Sequence, residues 1–241
     1  MKVAPRTVLE ARDISVHFGG MAALNRIRFR LKQGQLHCLI GPNGAGKSTL
    51  FKCLTGMLKP DEGQILLRGE DCRALKPHQI AARGVGIKTQ LPNVMNGMSV
   101  RENIWLSARR TNGAAESDRI CRQMLERFML TDIAAQHLDA LAHGKRQLVE
   151  FAMVVGQKPW LVLLDEPAAG MSAGEVELIA DVIREINQTA TLIVVEHDMR
   201  FIRMIADQVT VLHQGRILCE GDVNFVLNER VVRDVYLGRA A

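Results

Sequence analysis

The chain has 241 residues, of which 47% are hydrophobic and 24% charged, and its formal charge is +5. That length and hydrophobic share suit one large α/β domain, or a core with a smaller lobe, and exclude a disordered chain. The longest apolar runs, Trp160 to Leu164 and Leu192 to Val195, fall far short of the ~18 residues a membrane span requires, and aromatic residues at 4%, with no basic run among them, make no stacking platform for nucleic acid.

In chain order, Ile14, Val16 and Phe18 alternate with polar residues, and after Gly19-Gly20 so do Ile27, Phe29 and Leu31 with Arg26, Arg28 and Arg30. Two period-two runs predict an antiparallel β portion whose arginine row is a solvated strand face. Leu36 to Ile40 is an apolar strand and Thr49 to Leu54 a helix. Lys59 to Gly63 is a turn, Ile65 to Leu67 a strand, and Val85 to Gln90 a strand ending on a polar residue. Residues 91 to about 140 read as a helical insert. It holds a Ser99-x-x-Glu102 capping box, helical patterns over Ile104 to Arg109 and Asp118 to Phe128, and a small polar linker over Thr111 to Glu116. The strand Trp160 to Asp165, a helix capped by Ser172-x-x-Glu175 and the strand Leu192 to Val195 return the chain to parallel α/β order. A hairpin over Val209 to Glu220 and a helical tail from Asp222 to Ala241 complete it.

Between the strand Leu36 to Ile40 and the helix stand Gly41-Pro42-Asn43-Gly44-Ala45-Gly46-Lys47-Ser48, a complete G-x-x-x-x-G-K-S phosphate loop. Its glycines let backbone N–H groups turn inward around an anion, and the helix places its positive N-terminal end behind the same phosphates. Lys47 is expected on the β- and γ-phosphates, Ser48 on Mg²⁺ and Thr49 on the α-phosphate, so the chain is expected to bind a nucleoside triphosphate. Asp165 and Glu166 end an apolar strand, where parallel sheets present their ligand crevice. Asp165 is expected to hold Mg²⁺, and Glu166 to polarise the attacking water. His197 follows another apolar strand, which directs it toward the γ-phosphate. Gln90 ends a third, where it can bind Mg²⁺ or the attacking water. Five cysteines, Cys38, Cys53, Cys72, Cys121 and Cys219, include no C-x-x-C pair, and Met1 to Pro5 does not read as a signal peptide. A cytoplasmic location is expected.

The order of these motifs, with Leu141-Ala142-His143-Gly144-Lys145 between Gln90 and Asp165, resembles the ATP-binding subunit of an ATP-binding cassette (ABC) transporter over essentially the whole chain. The resemblance implies a single cassette. Residues 1–90 and 145–241 would form a P-loop core with a parallel sheet and an antiparallel β subdomain, and about 91–144 a helical subdomain. It also implies a head-to-tail dimer, homomeric or heteromeric, with two ATP molecules held between the phosphate loop of one subunit and Ala142, His143, Gly144 and Lys145 of the other. Phe18 stands where the family stacks a ring on adenine. Two departures are local. The family's Leu-Ser-Gly-Gly-Gln has become Leu141-Ala142-His143-Gly144-Lys145, which removes a hydroxyl from the γ-phosphate, and Ser172 stands where an aspartate is common.

Four strings, Phe18-Gly19-Gly20, Ala168-Ala169-Gly170-Met171, Val195 to Met199 and Val235-Tyr236-Leu237-Gly238, resemble the branched-chain amino acid and urea-type uptake ATPases of bacteria. That resemblance implies an ATP-hydrolysing subunit, peripheral on the cytoplasmic face of the inner membrane, driving import of a small polar solute. Its partners would be two membrane permeases, a second ATPase subunit and, indirectly, a periplasmic solute-binding protein, with no nucleic acid. Leu91, Val94, Met95, Met98 and Trp105 are the candidate permease contacts. A soluble family member acting in DNA repair or translation shares the chemistry, but 241 residues leave no room for its long coiled-coil insertions or second cassette. A regulatory module with little turnover suits Ala142; intact Glu166 and His197 argue against it.

Overall fold

The apolar runs that end at the phosphate loop, the acid pair and His197 lie side by side in one sheet. In the computed structural model, residues 6–236 are described. The chain begins with the antiparallel hairpin β1 (Thr7–Phe18) and β2 (Met21–Lys32), then β3 (Leu36–Ile40) and α1 (Lys47–Leu54). β4 (Glu62–Leu67), β5 (Glu70–Asp71), the short α2 (Pro77–Ala81) and β6 (Val85–Lys88) lead into α3 (Val100–Arg109), α4 (Ala114–Arg127) and α5 (His143–Val155). The remainder is β7 (Leu161–Asp165), α6 (Ala173–Asn187), β8 (Thr191–Val195), α7 (Met199–Ile205), β9 (Gln208–His213), β10 (Arg216–Asp222), α8 (Val223–Asn228) and α9 (Arg230–Tyr236).

Two sheets result, one of four strands in the order β2-β1-β4-β5 and one of six in the order β10-β9-β3-β8-β7-β6. The first is antiparallel; the second is parallel from β9 to β6, with β10 antiparallel at its edge. The core strands read as unbroken apolar runs because both faces of the parallel sheet are covered. Alternate residues go to opposite sides. Cys38, Leu164 and Val194 join a core with α3 to α7, whereas Leu39, Leu163 and Ile193 join one with α1 and the antiparallel sheet. Each fully buried aliphatic or aromatic side chain stabilises the fold by about 1.5–3 kcal/mol. Cys38 and Cys53 are buried.

The arginine row is exposed, with Ile27, Phe29 and Leu31 on the buried side. Acids of β1 answer it: Arg28 Nε lies 2.7 Å from Asp13 and Arg30 Nε 2.8 Å from Glu10. In the insert, Ser99 Oγ accepts from the Glu102 N–H and Glu102 Oε2 accepts from the Ser99 N–H, closing the capping box that starts α3. α3, α4 and α5 pack through Ile104, Cys121, Leu125, Phe128, Leu148 and Phe151.

Three expectations shift. β6 stops at Lys88, so Gln90 lies beyond the strand on a turn in which Thr89 Oγ1 donates to the Leu91 carbonyl at 2.7 Å. The linker expected over Thr111 to Glu116 is shorter, because Ala114, Ala115 and Glu116 form the first turn of α4, with Gly113 at its N-cap and an acid suited to the helix dipole. The tail is two helices rather than one: Asp222 accepts from Asn224 N and starts α8, and α9 runs to Tyr236. Residues 1–5 and 237–241, including Leu237 and Gly238 of the fourth string and the end of the tail, lie outside the described residues.

Candidate nucleotide site

Strand order gathers the motifs. β3, β8, β7 and β6 are consecutive neighbours and parallel. Their C-terminal ends release the phosphate loop, His197, the Asp165-Glu166 pair and the Gln90 turn along one sheet edge, the edge where parallel α/β folds bind ligands.

The phosphate loop has its glycines in the left-handed region, with φ of 150° at Gly41, 77° at Gly44 and 107° at Gly46. Gly41 and Gly46 are also sterically required. A Cβ on Gly41 would stand 2.2 Å from the Leu212 carbonyl oxygen, and one on Gly46 2.7 Å from that of Ala23. Pro42 O accepts from Ala45 N at 3.2 Å, and Asn43 and Gly44 are exposed at the tip. Lys47 is buried and folds back, its Nζ donating to the carbonyls of Gly41 at 2.7 Å and Pro42 at 3.0 Å. Ser48 is exposed and Thr49 half-buried on the first turn of α1.

Glu166 is the centre of the constellation. Its backbone takes φ 46°, a conformation rare outside glycine, and its N–H donates to Val195 O at 2.9 Å, fastening the residue to the end of β8. Gln90 Nε2 donates to Glu166 Oε2 at 2.9 Å, and His197 Nδ1 lies 3.4 Å from Oε1. Three candidates from three strand ends thus meet at one carboxylate.

Asp165 closes β7 and is buried. Burial first, and the charge of Glu166 second, push its carboxyl up to about 6, while Lys88 and Lys47 oppose the shift. Burial lowers the Lys47 ammonium, and Glu166, Asp165 and Glu196 oppose that. Asp165, Glu166 and Glu196 thus outnumber Lys47 and Lys88 here, an arrangement short of positive charge. Hard oxygen donors from Ser48, Gln90 and Asp165, beside a surplus of anionic charge, fit Mg²⁺ shared with substrate phosphates.

Glu196 was missed by the sequence analysis. It is 2% exposed, accepts from the backbone N–H groups of His197 at 3.1 Å and Asp198 at 3.5 Å through Oε2, and from Ala168 at 3.4 Å through Oε1. Burial raises its pKa and those donors oppose the rise. One carboxylate thereby locks the His197 segment to the loop after Glu166. An acid ending the apolar strand β8 was the available signal, the same one that marked Asp165.

Phe18 and Ala142 to Lys145 stand apart from this cluster. Phe18 is 54% exposed at the tip of the β1–β2 hairpin, opposite Met21. Ala142 is the N-cap of α5 and makes no side-chain cap bond. His143 packs on Gly170, with its Nε2 3.1 Å from Gln147 Nε2, and Gly144 lies against the Glu175 carboxylate. Lys145 Nζ is 3.7 Å from Glu175 Oε1, and Glu175 also accepts from the Ser172 N–H and hydroxyl. Among the described residues no hydrogen bond or ion pair joins this segment to the phosphate loop of its own chain.

Comparison with known proteins agrees with this layout. The family model for the ABC transporter matches residues 24–169. The branched-chain amino acid transport ATP-binding protein BraF of Pseudomonas aeruginosa is 32% identical, with 98% of this chain and 99% of BraF covered. LivG of Escherichia coli, of the same description, is 33% identical, with 97% and 98% covered. The ADP conformation of MJ1267, an ATP-binding cassette of an ABC transporter, superposes with a TM-score of 0.84 at 26% identity, over 97% of this chain and 99% of that one. With its motifs carried by neighbouring strand ends and its whole length matched, the chain belongs to the ABC transporter family, as an ATP-binding cassette ATPase.

Proposed function

We propose that the chain is the cytoplasmic motor subunit of an importer for a small polar solute of the branched-chain amino acid, urea or amide type. The Glu166 carboxylate held between Gln90 and His197 is the observation that carries the reading. In this reading Lys47, with the backbone of Gly41 to Thr49, binds the triphosphate, and the lysine exchanges two backbone carbonyls for phosphate oxygens. Ser48, Asp165 and Gln90 would hold Mg²⁺, which would supply positive charge against the charge developing on the phosphate oxygens. Glu166 takes a proton from water as the water oxygen bonds to the γ-phosphorus, and the bond to the ADP oxygen breaks. His197 keeps that carboxylate oriented and faces the γ-phosphate from β8. Phe18 stacks on adenine.

Residues 1–90 and 145–241 form the core in this proposal and about 91–144 the helical subdomain; the boundary falls in the first turn of α5. A second cassette, identical or not, supplies Ala142, His143, Gly144 and Lys145 to the ATP held here, so nucleotide bridges two subunits and hydrolysis releases them. Two permeases dock on the segment after Gln90, where Leu91 is 80% and Met95 42% exposed, while Val94, Met98 and Trp105 are half-buried. No helix among the described residues is long and apolar enough to cross a membrane, so association with the inner membrane would come through those permeases. A solute-binding protein outside the membrane delivers the cargo. The names of BraF and LivG support the branched-chain amino acid part of that class.

Affinity purification of tagged Glu166→Gln protein from solubilised native membranes with Mg-ATP tests the assembly. Two multispanning permeases and a second cassette are expected. Recovery of repair or translation factors without a membrane protein would overturn the transport role.

A further inference from the structure

Gln90 hangs on a segment whose two ends meet a single carboxylate. Glu150, on α5, accepts the Asn93 N–H through Oε1 at 2.8 Å, and its Oε2 lies 3.5 Å from Lys88 Nζ. The Lys88 and Glu150 side chains are 0% and 3% exposed, and the ammonium stands 5.6 Å from the centre of the Phe151 ring. Between these anchors, the Thr89 hydroxyl bond to the Leu91 carbonyl tightens the turn that aims Gln90 at Glu166.

A buried ion pair is a weak source of stability, since apolar side chains of similar volume serve as well or better. Burial works against both charges here, lowering the Lys88 ammonium and raising the Glu150 carboxyl, and each is the other's chief compensation. What apolar side chains cannot do is hold residue 88 by its side chain and residue 93 by its backbone at one point.

We propose that Glu150 is a positioning residue for Gln90, clamping both ends of the 88–93 segment to α5 through Lys88 and Asn93. The inference rests on the role proposed above for Gln90 and goes beyond it. The same helix starts with His143 to Lys145, the segment proposed to meet the partner's nucleotide. Gln90 and that segment are thereby both referenced to one helix.

The test replaces the clamp by an apolar pair, Lys88→Met with Glu150→Leu, and compares it with wild type and with Lys88→Arg. Melting temperature, ATP affinity, kcat and amide exchange over residues 89–93 are measured on the full chain. The expected result is a melting temperature equal to or above wild type and ATP affinity within about twofold. In the double variant kcat should fall about tenfold or more and exchange over 89–93 should accelerate by a similar factor, whereas Lys88→Arg should keep kcat near that of wild type. Wild-type kcat and exchange in the folded double variant would overturn the proposal. Should that variant not fold, Asn93→Pro removes the N–H donor and leaves the ion pair intact; unchanged kcat would again overturn it. Failure of the wild type to hydrolyse ATP would overturn the catalytic reading of the site, while the exchange measurement still decides whether the clamp exists.

Discussion

Gln90 Nε2 donates to Glu166 Oε2 across 2.9 Å although the two residues are 76 positions apart. With His197 near the other oxygen, the carboxylate is oriented by groups from two further strand ends. An acceptor so held is pre-positioned for a water proton, and a carboxamide there cannot take it up. Glu166→Gln is expected to lower ATP hydrolysis by about 100-fold or more while ATP affinity stays within a few-fold of wild type. Phosphate release and equilibrium nucleotide titration check this, and equal hydrolysis rates would remove Glu166 from the mechanism.

Lys47 is bonded to two carbonyls of its own loop. Lys47→Ala removes the ammonium from the triphosphate at a cost of about 1.5–3 kcal/mol, or roughly ten- to 150-fold in affinity. Calorimetric titration with ATP reads the loss directly; an unchanged dissociation constant would refute the phosphate-loop assignment.

Gly46 combines a φ of 107° with a position where a Cβ would stand 2.7 Å from Ala23 O and 2.9 Å from Leu24 Cδ2. Gly46→Ala is expected to destabilise the fold by about 1–3 kcal/mol, which for a domain of this size lowers the melting temperature by several degrees. A melt matching wild type would show that the two sheets separate more easily than this contact implies.

His37 supplies a pH dependence independent of nucleotide. Its Nε2 lies 2.7 Å from Thr210 Oγ1, whose hydrogen is committed to Glu220 Oε2, so Nε2 must be the donor. Nδ1 is then an unpartnered acceptor in the core, and burial lowers the imidazole to about 4. The unfolded chain binds this proton more tightly, so the contribution is fully present above about 6.5 and is lost as pH falls toward 4. The amount is about 3 kcal/mol. Denaturant melts at pH 4.5 and 7 should differ by less in His37→Gln than in wild type; equal differences would assign the acid limb to other groups.

Ala142 caps α5 without a side-chain acceptor or donor. Under the proposed dimer, Ala142→Ser restores a hydroxyl to the partner's γ-phosphate and should shift the Glu166→Gln protein toward an ATP-dependent dimer. Light scattering with ATP measures the shift, and an unaltered monomer fraction would show that His143 and Lys145 already suffice.

Much of this architecture was legible in the sequence because buried parallel strands are uninterrupted apolar runs, and Ile40, Asp165 and Val195 each end one. The phosphate loop was legible for a different reason: its glycines answer backbone geometry, which constrains residue type strongly. The strand expected to reach Gln90 stops two residues earlier because the ladder of β6 with β7 ends at Lys88 and Leu164, a limit set by pairing rather than by hydrophobicity. The Lys88–Glu150 pair could not be read at all. Its partners are 62 residues apart on a strand and a helix of ordinary apolar character, and only the packing of α5 brings them together. Glu196 carries the same signal as Asp165, an acid after an apolar strand, but its partners are backbone N–H groups, which no residue type marks.

The two sheets meet at Gly215. Its N–H donates to Ala45 O in the phosphate loop, its carbonyl accepts from Asn25 N on β2, and its Cα faces the Ala23 carbonyl. The hairpin that carries Phe18 and the loop that carries Lys47 are thereby referenced to one corner. The position of the hairpin relative to the phosphate loop is held by main-chain hydrogen bonds converging on one residue, so side-chain substitution along either element leaves that reference in place.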